Sequence, residues 1–179
     1  MTDIQKKREQ EKAKYLDLQV WMPSYGTSNH GADMLTYVAS NKPNFVVDFG
    51  CGRNHFVKDL ETLNIAAKGI DFVYNEADII APMHNVPLED NVADFITAFD
   101  SLEHLLTEDV YLVLKEMQRI AQPEAEFCFS INYHLSQILV HGQNLHPTVR
   151  SEGWWKEQIS AVGSVRNMGK YLSGRFNRE

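Results

Sequence analysis

At 179 residues and 20.5 kDa the chain is one domain's worth of material, enough for a sizeable core and too little for two full domains. Its 44% hydrophobic, 11% aromatic and 23% charged residues give the balance of a soluble globular protein, which sets aside the disordered, collagenous and membrane classes. The net charge of -7 is uneven: residues 1–14 hold five Lys/Arg against three acids, residues 150–179 six against three, and the stretch between six against eighteen, which excludes a main cleft built to grip duplex DNA.

No apolar run approaches the roughly 20 residues of a membrane span. The opening MTDIQKKREQEKAK has no apolar segment behind it, so no secretory leader is expected and the cytosol is the expected location. The two charged ends read as ordinary solvated tails. Residues 4–19 form a helix with a weak apolar face, and WMPSYGTSNHG (Trp21 to Gly31) breaks it with a mixture of aromatics, hydroxyls and glycines typical of a functional loop. Ala32 to Ser40 resumes helix. Phe45 to Phe49 is a buried strand that enters a tight turn at Gly50, Cys51 and Gly52. Phe56 to Leu63 has helical spacing, and Ala67 to Phe72 is a second strand. A third, Glu76 to Ile80, ends in Asp78 and its neighbours, a two-proline loop follows, and Asp94 to Phe99 is a fourth. Thr107 is a good N-cap for a helix that runs to Pro123, with Val110, Val113, Leu114, Met117 and Ile120 on its core face. Glu126 to Ile131 is a fifth strand, and Ser164 to Phe176 holds the only candidates for the last two.

Strands that alternate with helices, several as continuous apolar runs, imply an α/β fold: a Rossmann-like, doubly wound, mostly parallel sheet with helices on both faces and shortened C-terminal strands. A single domain, 1–179, is expected, with a helix and cap loop at 1–40, a cofactor-binding core at 41–135 and a substrate-side segment at 136–179. Cys51 and Cys128 have neither C-x-x-C spacing nor a Cys/His cluster, which argues against disulfides and zinc, so no metal is expected.

Parallel sheets bind ligands beyond the carboxyl ends of their strands. In VVDFGCGRNHF the glycines let a ligand lie against the backbone at a helix start, but Asp48 would repel the pyrophosphate of a dinucleotide. It would welcome the ammonium of S-adenosylmethionine. Asp71, nineteen residues after Gly52, is placed to accept hydrogen bonds from ribose hydroxyls, and reads equally as a turn aspartate. Asp78 is suited to the exocyclic amine of adenine, or to a cap. Gly50, Gly52, Cys51, Phe72, Ile79 and Phe99 at the same strand ends complete the expected cofactor contacts.

Taken jointly, VVDFGCGRNHF, GID, VPLEDNVADFITAFDSLEHL and LKEMQRIAQPEAEFCFSI, from Asn44 to Tyr133, resemble the class I S-adenosylmethionine-dependent methyltransferase family in order and spacing. WMPSYGTSNHG and HPTVRSEGWWKEQISAVG resemble the cap and post-fifth-strand segment of its small stand-alone members. Two departures stand out. Asn54 replaces the motif's third glycine, which is expected to cost closeness between helix and strand, and the usual P-G-G turn reads Pro123, Glu124, Ala125.

The resemblance implies methyl transfer by in-line displacement, which needs a general base only for a hydroxyl or protonated amine. His104, His134 and His146 are the candidate bases, and Asp100 is expected near the methionine end of the cofactor or the methyl, or reads as a helix-entry cap. Trp21, Tyr25 and Trp154, with His146, are candidate lining of an acceptor pocket. The tetrapeptide after the fourth strand is FDSL, not the N-P-P-Y type of amino-methylating DNA enzymes, and no Cys follows a Pro, which removes cytosine-C5 chemistry. The expected partner is a small-molecule, sugar or nucleotide-type acceptor, with a homodimer as a further possibility and neither duplex DNA nor a membrane. A second reading is a catalytically silent binding or activating partner with the same fold. A third, an NAD-dependent oxidoreductase, requires a third glycine and no strand-end Asp48.

Overall fold

A computed structural model of the chain describes residues 1–177; Arg178 and Glu179 lie outside the described residues. Helix α1 (Asp3–Trp21) begins with a capping box in which Thr2 and Gln5 exchange hydrogen bonds, Gln5 N–H to Thr2 Oγ1 at 3.3 Å and Thr2 N–H to Gln5 Oε1 at 2.7 Å. A turn of 3-10 helix (Ala32–Met34) leads into α2 (Leu35–Ser40). The core then alternates β1 (Phe45–Phe49), α3 (His55–Thr62), β2 (Ala66–Asp71), β3 (Ile79–Ile80), β4 (Ala93–Phe99), α4 (Val110–Ile120) and β5 (Ala121–Ser130). A two-stranded hairpin, β6 (Leu139–Val140) and β7 (Gln143–Asn144), precedes α5 (Glu152–Ser160), β8 (Gly163–Met168) and β9 (Tyr171–Phe176).

The main sheet has seven strands in the order β3-β2-β1-β4-β5-β9-β8. The pairs from β3 through β5 are parallel, and β9 is antiparallel to both β5 and β8. Successive residues of β1 explain why its sequence is a continuous apolar run. Val46 faces the half-core built with α2 and α3, whereas Val47 and Phe49 face the half-core built with α4 and α5. The order reverses between β1 and β4, the switch point at which such sheets open a crevice.

Four expectations are corrected. The third strand is only two residues long and begins after Asp78, since Ile79 and Ile80 pair with Ile70 and Asp71. Thr107 starts a 3-10 turn, Thr107–Asp109, rather than capping the α-helix, and its hydroxyl meets that of Thr148 at 2.9 Å instead. Helix α4 ends at Ile120 because Ala121 turns extended and enters β5 directly. The N-terminal segment is no solvated tail: Arg8 bonds both carboxylate oxygens of Asp109, Lys7 meets Glu108 at 2.7 Å, and the buried Lys14 donates to the Asn144 carbonyl at 3.0 Å. These contacts carry α1 across the acidic middle of the chain, with Tyr15 and Leu18 buried beneath it.

Candidate functional site

The carboxyl ends of β1, β2 and β4 open into one cavity of about 640 Å³, within the roughly 300–1,000 Å³ typical of small-molecule sites. Asp48, next to last in β1, is 4% exposed and accepts a hydrogen bond from Thr97 Oγ1 at 2.7 Å. Burial outweighs that bond and pushes its carboxyl up to about 7.

The turn after β1 folds back on β2, with the N–H groups of Gly50 and Cys51 donating to the Ile70 carbonyl at 2.8 and 3.1 Å. Gly50 has φ of 75°, and a Cβ there would stand 2.4 Å from the Cβ of Ser101. Asn54, in place of the third glycine, adopts the left-handed conformation with φ of 65°, which asparagine tolerates better than most residues. Its bulk is accommodated across the sheet. Gly69 of β2 has no side chain, and a Cβ there would lie 2.0 Å from Asn54 Oδ1 and 2.7 Å from Cys51 Sγ. Asn54 therefore packs directly against β2, where the glycine at position 69 leaves room for its side chain. Gly69→Ala is expected to destabilise the protein by about 1–3 kcal/mol through overpacking, with Asn54→Gly restoring part of the loss, measurable as a double-mutant cycle in urea.

Asp78 belongs to this packing. Its carboxylate accepts from Asn54 Nδ2 (2.9 Å), the Gly69 N–H (2.9 Å) and Lys68 Nζ (3.0 Å). Burial raises its pKa, but those bonds outweigh it and hold the carboxyl below the usual range. Because Asp78 precedes β3 instead of closing it, it and Ile79 do not line the cavity; the residue that does so beyond β3 is Met83. Trp21 is 51% exposed at the end of α1, and Trp154 packs edge-on against Trp155 at 5.0 Å beside the core, so neither lines the cavity.

Asp71, buried at the end of β2, bridges two segments. Its Oδ1 accepts from the N–H groups of Val73 (2.9 Å) and Tyr74 (3.2 Å), and Oδ2 from that of Gly52 (3.2 Å). Burial raises its carboxyl against those bonds. Phe72 lines the same region, its ring 5.4 Å from that of Tyr15, and Cys51 and Phe99 complete the wall. Overhead, the loop from Met22 to Gly31 is fastened by Tyr74 Oη to the Tyr25 carbonyl (3.1 Å) and Arg53 to the Pro23 carbonyl (2.8 Å).

At the far end, Asp100 takes a left-handed conformation with φ of 47°. One carboxylate oxygen accepts from Ser130 Oγ at 2.7 Å and the other meets His30 Nδ1 at 2.8 Å. Burial raises the Asp100 carboxyl, yet these partners outweigh it and hold it below its ordinary value. In turn the bond to Asp100 lifts His30 above the ordinary histidine value. Glu103 is fully buried, its Oε1 accepting the Asn132 N–H at 3.0 Å, and burial pushes it up to about 8. His104 Nδ1 lies 2.5 Å from Tyr15 Oη and 2.8 Å from the Leu145 carbonyl, and burial lowers it to about 4. His146 Nδ1 meets the His134 carbonyl at 2.6 Å, and the exposed His134 stands at the rim.

The cavity thus gathers Asp48, Gly50, Cys51, Gly52, Asp71, Phe72, Phe99, Asp100, His104, His134, His146 and Tyr25 from the sequence-derived set. Tyr15, His30, Met83 and Asn132 also line it. Tyr15 and His30 come from the N-terminal segment, where no local pattern ties them to a strand end; Met83 was findable by counting past β3.

Among the described residues, the cavity lining contains no Lys or Arg and carries four carboxyls, Asp48, Asp71, Asp100 and Glu103. A pyrophosphate would find no counter-charge there, whereas the sulfonium and ammonium of S-adenosylmethionine would meet buried carboxyls. The residues fit that cofactor.

The sheet order and the strand-end cavity define a class I methyltransferase fold. Similar solved structures include the PH0226 protein of Pyrococcus horikoshii (14% identity, TM-score 0.72, covering 91% of this chain and 99% of that one). A 1,6-didemethyltoxoflavin-N1-methyltransferase of Burkholderia thailandensis, bound to 1,6-didemethyltoxoflavin and S-adenosylhomocysteine, is similar too (14%, TM-score 0.71, 99% and 92%). So is a Haloferax volcanii protein described as a methyltransferase and solved with the Trm112 methyltransferase activator (14%, TM-score 0.63, 87% and 97%). No curated protein matches the chain. Residues 47–129, from β1 into β5, match the family model described as a methyltransferase domain. No helix among the described residues is long and apolar enough to cross a membrane.

Proposed function

We propose that the protein transfers the methyl group of S-adenosylmethionine to a neutral or cationic small-molecule oxygen or nitrogen, a sugar or nucleoside-like hydroxyl being the favoured class. The observation that carries this reading is the absence of Lys and Arg from the described lining of a cavity that holds four carboxyls. An acceptor with free phosphates would have to desolvate its charge without compensation. When bound, the cofactor supplies a methyl on a positively charged sulfur, already activated for in-line displacement.

The chain's own residues supply position and proton handling. Asp48 holds the ammonium end and Asp71 the ribose hydroxyls, while the loop at residues 22–31 excludes water from above. His30 accepts the acceptor's proton. Its Nδ1 faces Asp100, which fixes the ring and leaves Nε2 as the basic nitrogen. His104, already tied at Nδ1 and lowered to about 4, is a poor base at neutral pH. In this reading residues 1–40 close the cofactor site and residues 136–179 bound the acceptor side.

Asp71→Ala is expected to weaken S-adenosylhomocysteine binding by about 1–3 kcal/mol, the cost of leaving buried hydroxyls and the Gly52 N–H without their acceptor. Unchanged affinity by calorimetry would place the ribose elsewhere. The function is tested with methyl-labelled S-adenosylmethionine and matched pairs of acceptors with and without a phosphate. Label is expected in unphosphorylated members alone, and transfer confined to phosphorylated ones would overturn the reading.

The Haloferax volcanii neighbour's complex with an activator supports a second reading, in which the chain binds the cofactor but serves or requires a protein partner. Cofactor binding without transfer to any acceptor would favour it.

A further inference from the structure

Three side chains at the acceptor end of the cavity, Glu103, His104 and His146, each offer a ligand atom within 4.8 Å of the others. They come from two segments far apart in sequence: the adjacent Glu103 and His104 follow β4, whereas His146 follows the β6-β7 hairpin. No Cys/His spacing announces them, which is why the sequence points away from a metal.

The surroundings prepare each group as a ligand. Glu103 is 0% exposed; Oε1 is occupied by the Asn132 N–H, but Oε2 is buried with no hydrogen-bond partner. An unsatisfied buried carboxylate oxygen is costly and calls for a cation or a donor. The Nδ1 of His146 meets the His134 carbonyl at 2.6 Å and that of His104 the Leu145 carbonyl at 2.8 Å. A carbonyl can only accept, so it selects the Nδ1–H tautomer and leaves the Nε2 lone pair for coordination, the arrangement that outer-shell carbonyls impose on metal-binding histidines. Tyr15 Oη, 2.5 Å from His104 Nδ1 and 3.2 Å from the Leu145 carbonyl, braces the same ring from α1. Lys14, the buried cation of that helix, is engaged by Glu11 at 2.6 Å and by the Asn144 carbonyl.

We propose that Glu103, His104 and His146 form a binding site for one divalent transition-metal ion, with the remaining coordination positions open to the cavity. Two imidazoles and one carboxylate suit zinc, iron(II), manganese or cobalt, and give no advantage to calcium or magnesium, which take oxygen ligands. The site stands independently of methyl transfer. Its use, to hold an acceptor hydroxyl beside His30, rests on the function proposed above.

The test uses the full chain without a histidine tag, stripped with chelator, and titrates it with cobalt(II) and zinc(II) by absorption spectroscopy and calorimetry. S-adenosylhomocysteine binding is measured separately in chelator, so that a failed metal site and a failed cofactor site are told apart. One equivalent is expected, with visible cobalt bands. His146→Ala and the conservative Glu103→Gln are each expected to lower the affinity at least tenfold, with an unchanged circular dichroism spectrum and a cooperative thermal transition certifying that the variants are folded. Absence of stoichiometric binding by the unaltered protein, or affinity unchanged in both variants, would overturn the proposal.

Discussion

Asp48→Asn is expected to make the ligand-free protein more stable at pH 8 and to weaken its hold on S-adenosylmethionine. The carboxyl is 4% exposed, and burial lifts it from 3.8 to about 7. A carboxyl raised on folding binds more protons in the native state. Its contribution is therefore fully present below the unfolded value near 4 and is lost as pH rises to about 7. The rise corresponds to roughly 4 kcal/mol of apo stability forgone at pH 8. Asparagine keeps an oxygen for the Thr97 hydroxyl and removes the charge, so the stability difference should open between pH 4 and 7 and close again in acid. Urea unfolding across that range measures it. A buried ammonium deprived of its carboxylate costs about 2–5 kcal/mol, so affinity should fall roughly thirtyfold or more. For the unaltered protein the affinity should rise with pH through about 7, as the carboxylate ionises. A variant with lower apo stability at pH 8 would show that Asp48 is a structural residue.

His30→Ala should lower the methyl-transfer rate by about 10²–10⁴-fold for a hydroxyl or ammonium acceptor, the usual worth of a positioned base. The imidazole lies 2.8 Å from Asp100, and that bond lifts its pKa above the ordinary 6.5. A base must be unprotonated to act. The rate should accordingly climb with pH through a value above 6.5 in the unaltered protein and lose that limb in His30→Ala. Asp100→Asn should shift the limb to lower pH, because the partner that favours the imidazolium is gone. Unaltered pH profiles in both variants would remove His30 from proton transfer. The same pair has a smaller stability signature: its contribution is present below about 6.5 and is lost as pH rises through the higher folded value, much reduced by solvent since His30 is half exposed.

The central sheet was legible because β1, β4 and α4 bury both faces or one regular stripe, which leaves apolar runs and a 3.6-residue period in the sequence. The terminal strands β8 and β9 lie within the stretch, Ser164 to Phe176, that remained for them, extended by one residue to Gly163. Asp78 shows where the reading fails. An acid near a short strand carries no sign of whether it precedes or follows that strand, and a shift of two or three residues moved it from the cavity to the packing beneath Asn54. Asn54 shows the converse. A motif read along the chain registers a missing glycine, while the room that Gly69 leaves for Asn54 is visible only once β2 lies beside the turn. The cluster at Glu103, His104 and His146 was hidden for the same reason, because its members meet only when the hairpin folds back over the end of β4.

A cavity lined by four carboxyls and, among the described residues, no Lys or Arg is expected to admit a cationic cofactor and to reject an anionic one. Calorimetric titration of the purified protein with S-adenosylmethionine and S-adenosylhomocysteine, with NADH as the control, tests this most directly. Micromolar binding of the first two and none of NADH is the predicted result. Binding of NADH, or of none of the three, would contradict it.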